Sequence, residues 1–278
     1  MSQYIFHVRH NARPDSLQAF IELVNEYPGA DDEMLIAYGT AQGSRIGTAI
    51  NSVQSLHENI AQVLRDFSLL EQQTNHLTEC GMLLCELVYA KPTLLAEVMH
   101  FFFYSTWHSS APSQNCFSWT YMTTVQQLWS GIQVTLSLKQ LASDVAARAK
   151  QVFPDAKISI SDDTMRGVMN WLRPLSPAVL DERDNTKRFM RRSFCPPELF
   201  VLAVDHVYGR KGVQYGSNLL MEPEMQEQIC QICVLEPEGF ERVAGYATLQ
   251  FPFLAQGMGG GWGSYLRLDR APSLDDLR

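Results

Sequence analysis

Cys230-Gln-Ile-Cys233 is a spacing that could do chemistry, because two thiolates two residues apart can grip a zinc ion or cycle through a disulfide. Zinc needs four ligands, however, and no second CxxC or paired histidine stands at a matching distance. A redox dithiol usually opens a helix after a strand, whereas these two fall inside an apolar helical run, so they read as core cysteines. His7 and His10 would share one face if their segment were helical, but no carboxylate lies beside them in sequence. His57, His76, His100, His108 and His206 are scattered, without a His-Glu-x-x-His grouping, and no metal site is expected. The glycine-rich stretch 257–263 invites a phosphate-loop reading but lacks the Gly-Lys-Ser/Thr ending, and it reads as a hairpin tip. No Gly-x-Ser-x-Gly elbow occurs. The chain is therefore expected not to be an enzyme and to need no cofactor.

One cluster points elsewhere. Arg183-Asp-Asn-Thr-Lys-Arg-Phe-Met-Arg-Arg192 places five cations and one anion in ten residues, and Arg210-Lys211 adds two more in a glycine-flanked turn. Cations on loops hold phosphates, while helix side chains in a groove read bases. The alternative is a solvated loop. Charge placement favours this middle third: residues 1–110 carry five basic and twelve acidic side chains, residues 111–211 thirteen and nine, and residues 212–278 four and nine. The net charge of −8 argues against indiscriminate nucleic-acid binding but not against one basic face.

At 278 residues, 46% hydrophobic and 19% charged, the chain can bury a large core, which excludes global disorder. The most apolar run, Leu94 to Tyr104, is too short to span a membrane and holds Glu97 and His100. The opening Met-Ser-Gln-Tyr-Ile-Phe is not a secretory signal, so the cytoplasm and reduced thiols are expected. Cys80, Cys85, Cys116 and Cys195 all read as small core hydrophobes.

The elements that must position the cations follow from periodicity. Residues 1–13 read as a polar terminus. Pro14 opens a helix with Leu17, Phe20, Ile21 and Val24 on one face, stopped by Pro28-Gly29. Asp31 and Asp32 cap a second, and a third runs from Ile46 to Phe67. Around Leu69-Leu70 and Leu77-Thr78 two short strands would make a wing before Thr78 caps the next helix. Met82 to Trp107 is apolar almost all round and reads as one buried helix, followed by an aromatic helix from Phe117 to Ile132.

A helix-turn-helix candidate occupies 136–172. Ser137 caps Leu138 to Val152, Phe153-Pro154 stops it, Lys157 to Ile160 look extended, and Ser161 or Asp162 caps Thr164 to Leu172. Val168, Trp171 and Leu172 should face inward, leaving Arg166, Asn170 and Arg173 outward. Helices are expected at Pro196–Tyr208 and Pro223–Val234, and residues 246–270 read as a hairpin. No internal repeat is evident.

The exit at Leu69-Leu70, the segment Leu77-Thr78-x-x-Gly81, the long apolar helix ending at Trp107, the aromatic helix around Trp119 and the capped helix at 161–172 resemble an uncharacterised bacterial family. Its members are often encoded beside phosphoadenosine-phosphosulfate-reductase-like genes in phage-defence islands. Phe6-His-Val-Arg stands where that family has a His-Glu-Thr-Phe-like start. The resemblance implies a DNA-associated accessory role in defence or DNA modification and carries over no catalytic residue.

The expected architecture is mainly α, with winged-helix-like units at both ends of a helical core. The boundaries are 1–81, a core at 82–135, a second unit at 136–270 and a tail at 271–278. The expected function is duplex DNA binding without catalysis. Arg166, Asn170 and Arg173 would approach bases, and Lys187, Arg188, Arg191, Arg192, Arg210 and Lys211 would hold phosphates. The rival is an adaptor that docks a protein partner through the acidic N-terminal unit.

Overall fold

The computed structural model describes residues 4–41, 53–110, 113–131, 133–181, 187–259 and 263–278. The protein is mainly helical, with short antiparallel strands in two small sheets. No helix among the described residues is long and apolar enough to cross a membrane. The chain divides into two compact units. One comprises Met1–Tyr121, Ser137–Pro174 and Arg278, the other Met122–Leu136 and Leu175–Leu277. The expected boundaries at 81, 135 and 270 do not coincide with this division.

In the first unit, α1 (Pro14–Glu26) buries Leu17, Phe20, Ile21 and Val24 completely, as its spacing predicts. The chain continues through α2 (Asp32–Ala41), a turn Val53–Ser55, a π-helical stretch Leu56–Ala61 and α3 (Gln62–Asp66). Residues 46–52 of the expected third helix lie outside the described residues. The expected two-stranded wing after α3 is a single antiparallel bridge between Leu70 and Leu77. Its turn is held by buried Arg65, which donates to the carbonyls of Glu71 and Thr74 and to Asn75 Oδ1, while Asn75 donates on to Asp32 and Ala30. Thr78 then caps α4 (Glu79–Ala90), its hydroxyl accepting from Gly81 N–H at 3.1 Å. A side chain at Gly81 would stand 2.0 Å from the Leu69 carbonyl, which is why the Leu-Thr-x-x-Gly segment ends in glycine.

The expected single helix across 82–107 is two: α4 and α5 (Leu94–Ser105). Pro92 has no N–H and forces Lys91 out of helical geometry, and Lys91 adopts φ −140°, ψ 76°. On α5, Glu97 and His100 are buried, and His100 Nδ1 lies 2.7 Å from the Tyr121 hydroxyl. Phe103 stacks on Tyr121 and meets Trp171, so the aromatics close this core. Helix α6 (Cys116–Ser130) follows.

Residues 4–13 are not a loose polar terminus. Phe6, Val8 and Ala12 are buried, Ile5 N–H donates to the Ser113 carbonyl, and a turn at His10–Asn11 is closed by Ala12 N–H donating to the Arg9 carbonyl.

After β1 (Gln133–Thr135), Ser137 caps α7 (Leu138–Val152), its hydroxyl accepting from Gln140 N–H. Residues 157–160, expected as extended, form no strand. Helix α8 (Asp162–Leu172) starts at Ser161, whose N–H donates to Thr164 Oγ1, a capping-box contact. Strands β2 (Leu180–Asp181) and β3 (Arg188–Met190) then pair antiparallel, and β3 lies between β1 and β2.

The second unit continues with α9 (Pro197–Lys211), β4 (Asn218–Leu220), α10 (Pro223–Cys233), α11 (Phe240–Gln250), β5 (Leu254–Gly259) and β6 (Gly263–Leu268). The expected hairpin from 246 starts later, because residues 246–250 complete α11. Strand β6 sits between β4 and β5. The expected tail is also structured: Leu274–Leu277 forms a 3-10 turn that buries Leu274 and Leu277, and Arg270 pairs with Asp276.

His206 on α9 carries a pH signature. Burial, reinforced by Arg210, pushes its imidazole down from 6.5 to about 4. The unfolded chain therefore takes up a proton before the folded one does. The stability this site contributes is complete above 6.5 and declines as the pH falls from there towards about 4. His206→Gln should flatten the melting temperature between about pH 7 and pH 5, and an unchanged slope would remove His206 as the cause.

Candidate nucleic-acid interface

Helix α8 is strongly two-faced. Met165, Val168, Met169, Trp171 and Leu172 are buried, while Arg166 and Arg173 are exposed and Asn170 is half-buried. Val168, Trp171 and Leu172 face inward and Arg166 and Arg173 outward as the spacing predicts, whereas Asn170, expected outward, is half-buried. Arg166 is not idle in the free protein: its Nη1 pairs with Asp163 in the first turn, where Asp162 and Asp163 suit the positive end of the helix dipole. Asn170 Nδ2 donates to the His10 carbonyl at 2.7 Å, and its Oδ1 accepts from Arg173 Nη1 at 3.2 Å. Asn170 is thus committed to structure on both ends of its amide.

The basic cluster separates into two kinds of cation. Arg183 lies outside the described residues. Lys187 and Arg188 are exposed at the start of β3, where Asp181 pairs with Arg188 and Leu180 with Phe189 across the hairpin. Phe189 points the other way and is buried, as strand alternation requires.

Arg191 and Arg192 do not serve as expected. Arg191 lies over the Trp129 ring, 3.9 Å from its centroid, and its Nε donates to the Trp129 carbonyl at 2.7 Å. Arg192 is 2% exposed; its Nε donates to the Cys233 carbonyl at 2.8 Å and its Nη1 to the Ser176 carbonyl at 2.9 Å. The backbone fixes it further, since Arg192 N–H donates to Val234 and Glu236 N–H donates to Arg192. A guanidinium so enclosed cannot reach a phosphate.

Arg210 and Lys211 are exposed but occupy the last turn of α9 rather than a loop, with Gly212 capping at φ 65°. Cations there suit the negative end of the helix dipole. Lys211 also pairs with Glu224 at 3.1 Å.

The other spacings resolve differently from one another. Cys230 and Cys233 are both fully buried at the end of α10, and burial pushes the Cys230 thiol up to about 12. Cys80, expected in the core, is exposed on the first turn of α4. Among the described residues no group of three His, Cys, Asp or Glu side chains could hold a metal ion.

Sequence reasoning missed the N-terminal segment. His7 Nδ1 lies 3.1 Å from Thr164 Oγ1, and its ring is 5.8 Å from that of His10. The alternation of buried Phe6 and Val8 with His7 and Arg9 was the available signal for a packed run. No known protein family matches the chain, nor does any curated protein or solved structure.

Proposed function

We propose that the chain is a non-catalytic DNA-binding accessory protein whose residues 116–190 follow a winged-helix plan. One observation carries the reading: α6, β1, α7, α8, β2 and β3 succeed one another in that order, and the sheet order is β1-β3-β2. A winged helix has this chain order, with its third helix reading the groove and its last hairpin as the wing. In that order α8 is the third helix and would read the groove, and β2 and β3 close the plan, with Lys187 and Arg188 exposed at the start of β3. The setting, phage defence or DNA modification, rests on the family resemblance alone.

The contact set is smaller than the sequence suggests. Arg166 and Arg173 remain for the groove, and Lys187, Arg188 and Arg210 for phosphates. An exposed pair such as Arg166–Asp163 is worth about 0.3–0.5 kcal/mol, so exchanging Asp163 for a DNA acceptor costs little.

Phosphate contacts release counterions, so log affinity falls with log salt by roughly 0.9 per phosphate neutralised. Lys187→Ala/Arg188→Ala should flatten that slope by about 2 and weaken binding equally on all sequences. Arg166→Ala should cost about 1–3 kcal/mol on a preferred site and little elsewhere. Duplex affinity measured across a salt series decides it. An unchanged slope in the folded double variant would sink the reading.

A second reading, docking of a protein partner, is favoured by α2, where exposed Met34 and Tyr38 lie one turn apart beside Asp32 and Glu33. Loss of DNA binding would leave that reading standing.

A further inference from the structure

We propose that residues 7–13 form a second arm of the DNA surface beside α8, and that His7 makes binding proton-dependent; this rests on the DNA reading above. Three contacts at three-residue intervals lay the segment along one ridge of α8. His7 Nδ1 meets Thr164 Oγ1 at 3.1 Å, the Val8 carbonyl crosses at Gly167, and Asn170 Nδ2 donates to the His10 carbonyl at 2.7 Å. A side chain at Gly167 would stand 2.2 Å from that Val8 carbonyl, so the close crossing depends on glycine. The next residue on the ridge is Arg173, whose guanidinium reaches Asn170. The rings of His7 and His10 lie 5.8 Å apart, with the Nδ1 of His10 buried, and exposed Arg13 ends the segment.

The charges facing the pair are mixed. On the segment itself are Arg9 and Arg13; α8 supplies Asp163, Arg166 and Arg173; and Asp66 of α3, together with Glu58 of the π-helical stretch, bears on Arg9. Burial, then His10 and Arg9, hold the His7 imidazole below its ordinary value, and only Asp163 opposes them. A phosphate set beside His7 would act as Asp163 does and favour its protonated ring. Binding would then take up protons, and affinity would rise as the pH falls.

The test uses the full chain and a mixed-sequence duplex of about 25 base pairs, with affinity measured at about pH 7.5 and pH 5.5 across a salt series. The expected result is binding about tenfold tighter at the lower pH. His7→Gln should remove most of that gain, and Arg13→Ala should flatten the salt slope by about 0.9. Circular dichroism at both pH values confirms folding, and exposed Arg13 provides a variant that does not disturb the core. If the duplex binds with a steep salt slope but His7→Gln keeps the full pH gain, the arm is overturned and the DNA reading survives. If no duplex binds at either pH, both fall.

Discussion

Gly167→Ala is expected to lower stability by about 3 kcal/mol, although it adds a single methyl group. That methyl would lie 2.2 Å from the carbonyl oxygen of Val8 and 2.8 Å from its carbon. Both are backbone atoms, so no rotamer change relieves the clash, and either α8 or the N-terminal run must move. Moving the run exposes Phe6 and Val8, which are 1% and 0% exposed, and breaks the Asn170 contact to His10. Losing two buried apolar side chains to water costs on that scale by itself. At roughly 2–4 °C per kcal/mol, thermal unfolding should fall by about 6–12 °C if the run and the core unfold together. If the run detaches alone, the melting temperature holds while amide exchange at residues 5–8 accelerates. A variant with native melting temperature and native exchange at those amides would refute the packing described for this segment.

Helix faces were legible in the sequence because the 3.6 period survives wherever one side of a helix meets a core. Leu17, Phe20, Ile21 and Val24 on α1, and Val168, Trp171 and Leu172 on α8, all lie where their spacing places them. The caps at Ser137 and Thr78 were legible for a related reason: a cap is a local contact, closed within three residues. What failed were features decided by neighbours remote in sequence. The run 4–13 looks polar until Gly167, far along the chain, provides the groove for Val8. The bend between α4 and α5 was a misjudgement of another kind, since Pro92 announced it and the continuous apolar composition obscured it.

The candidate site shows the same limit more sharply. Five cations in ten residues look alike in composition, and alternation along β3 separates only Arg188 from Phe189. That Arg191 lies over Trp129 and Arg192 beneath Val234 and Leu235 depends on chain segments 40 or more residues away in sequence. The DNA reading survives this loss because its support is chain order and strand order rather than the number of cations. On that reading the expected electrostatic footprint is smaller, with Lys187 and Arg188 proposed for phosphates where the sequence offered four cations.

Arg192→Met is expected to separate structure from function within that cluster. Methionine fills most of the volume of the arginine stem but offers no donor, leaving the buried Cys233 carbonyl and the carbonyl of exposed Ser176 without their guanidinium partner. One unsatisfied buried acceptor costs about 1–3 kcal/mol, so the variant should lose about 2 kcal/mol and melt about 4–8 °C lower. Arg192→Lys should recover only part of this, because one ammonium cannot span two carbonyls held by different nitrogens of a planar fork. At a temperature where the variant is still folded, its DNA affinity and salt slope should match those of the parent chain, since a side chain 2% exposed neutralises no phosphate. Lys187→Ala/Arg188→Ala should behave in the opposite way, with melting temperature held within a few degrees and salt slope reduced. Parallel melting curves and salt titrations of the two variants test the division directly. A flattened salt slope in Arg192→Met, or a large stability loss in the double variant, would show that these cations have been assigned to the wrong roles.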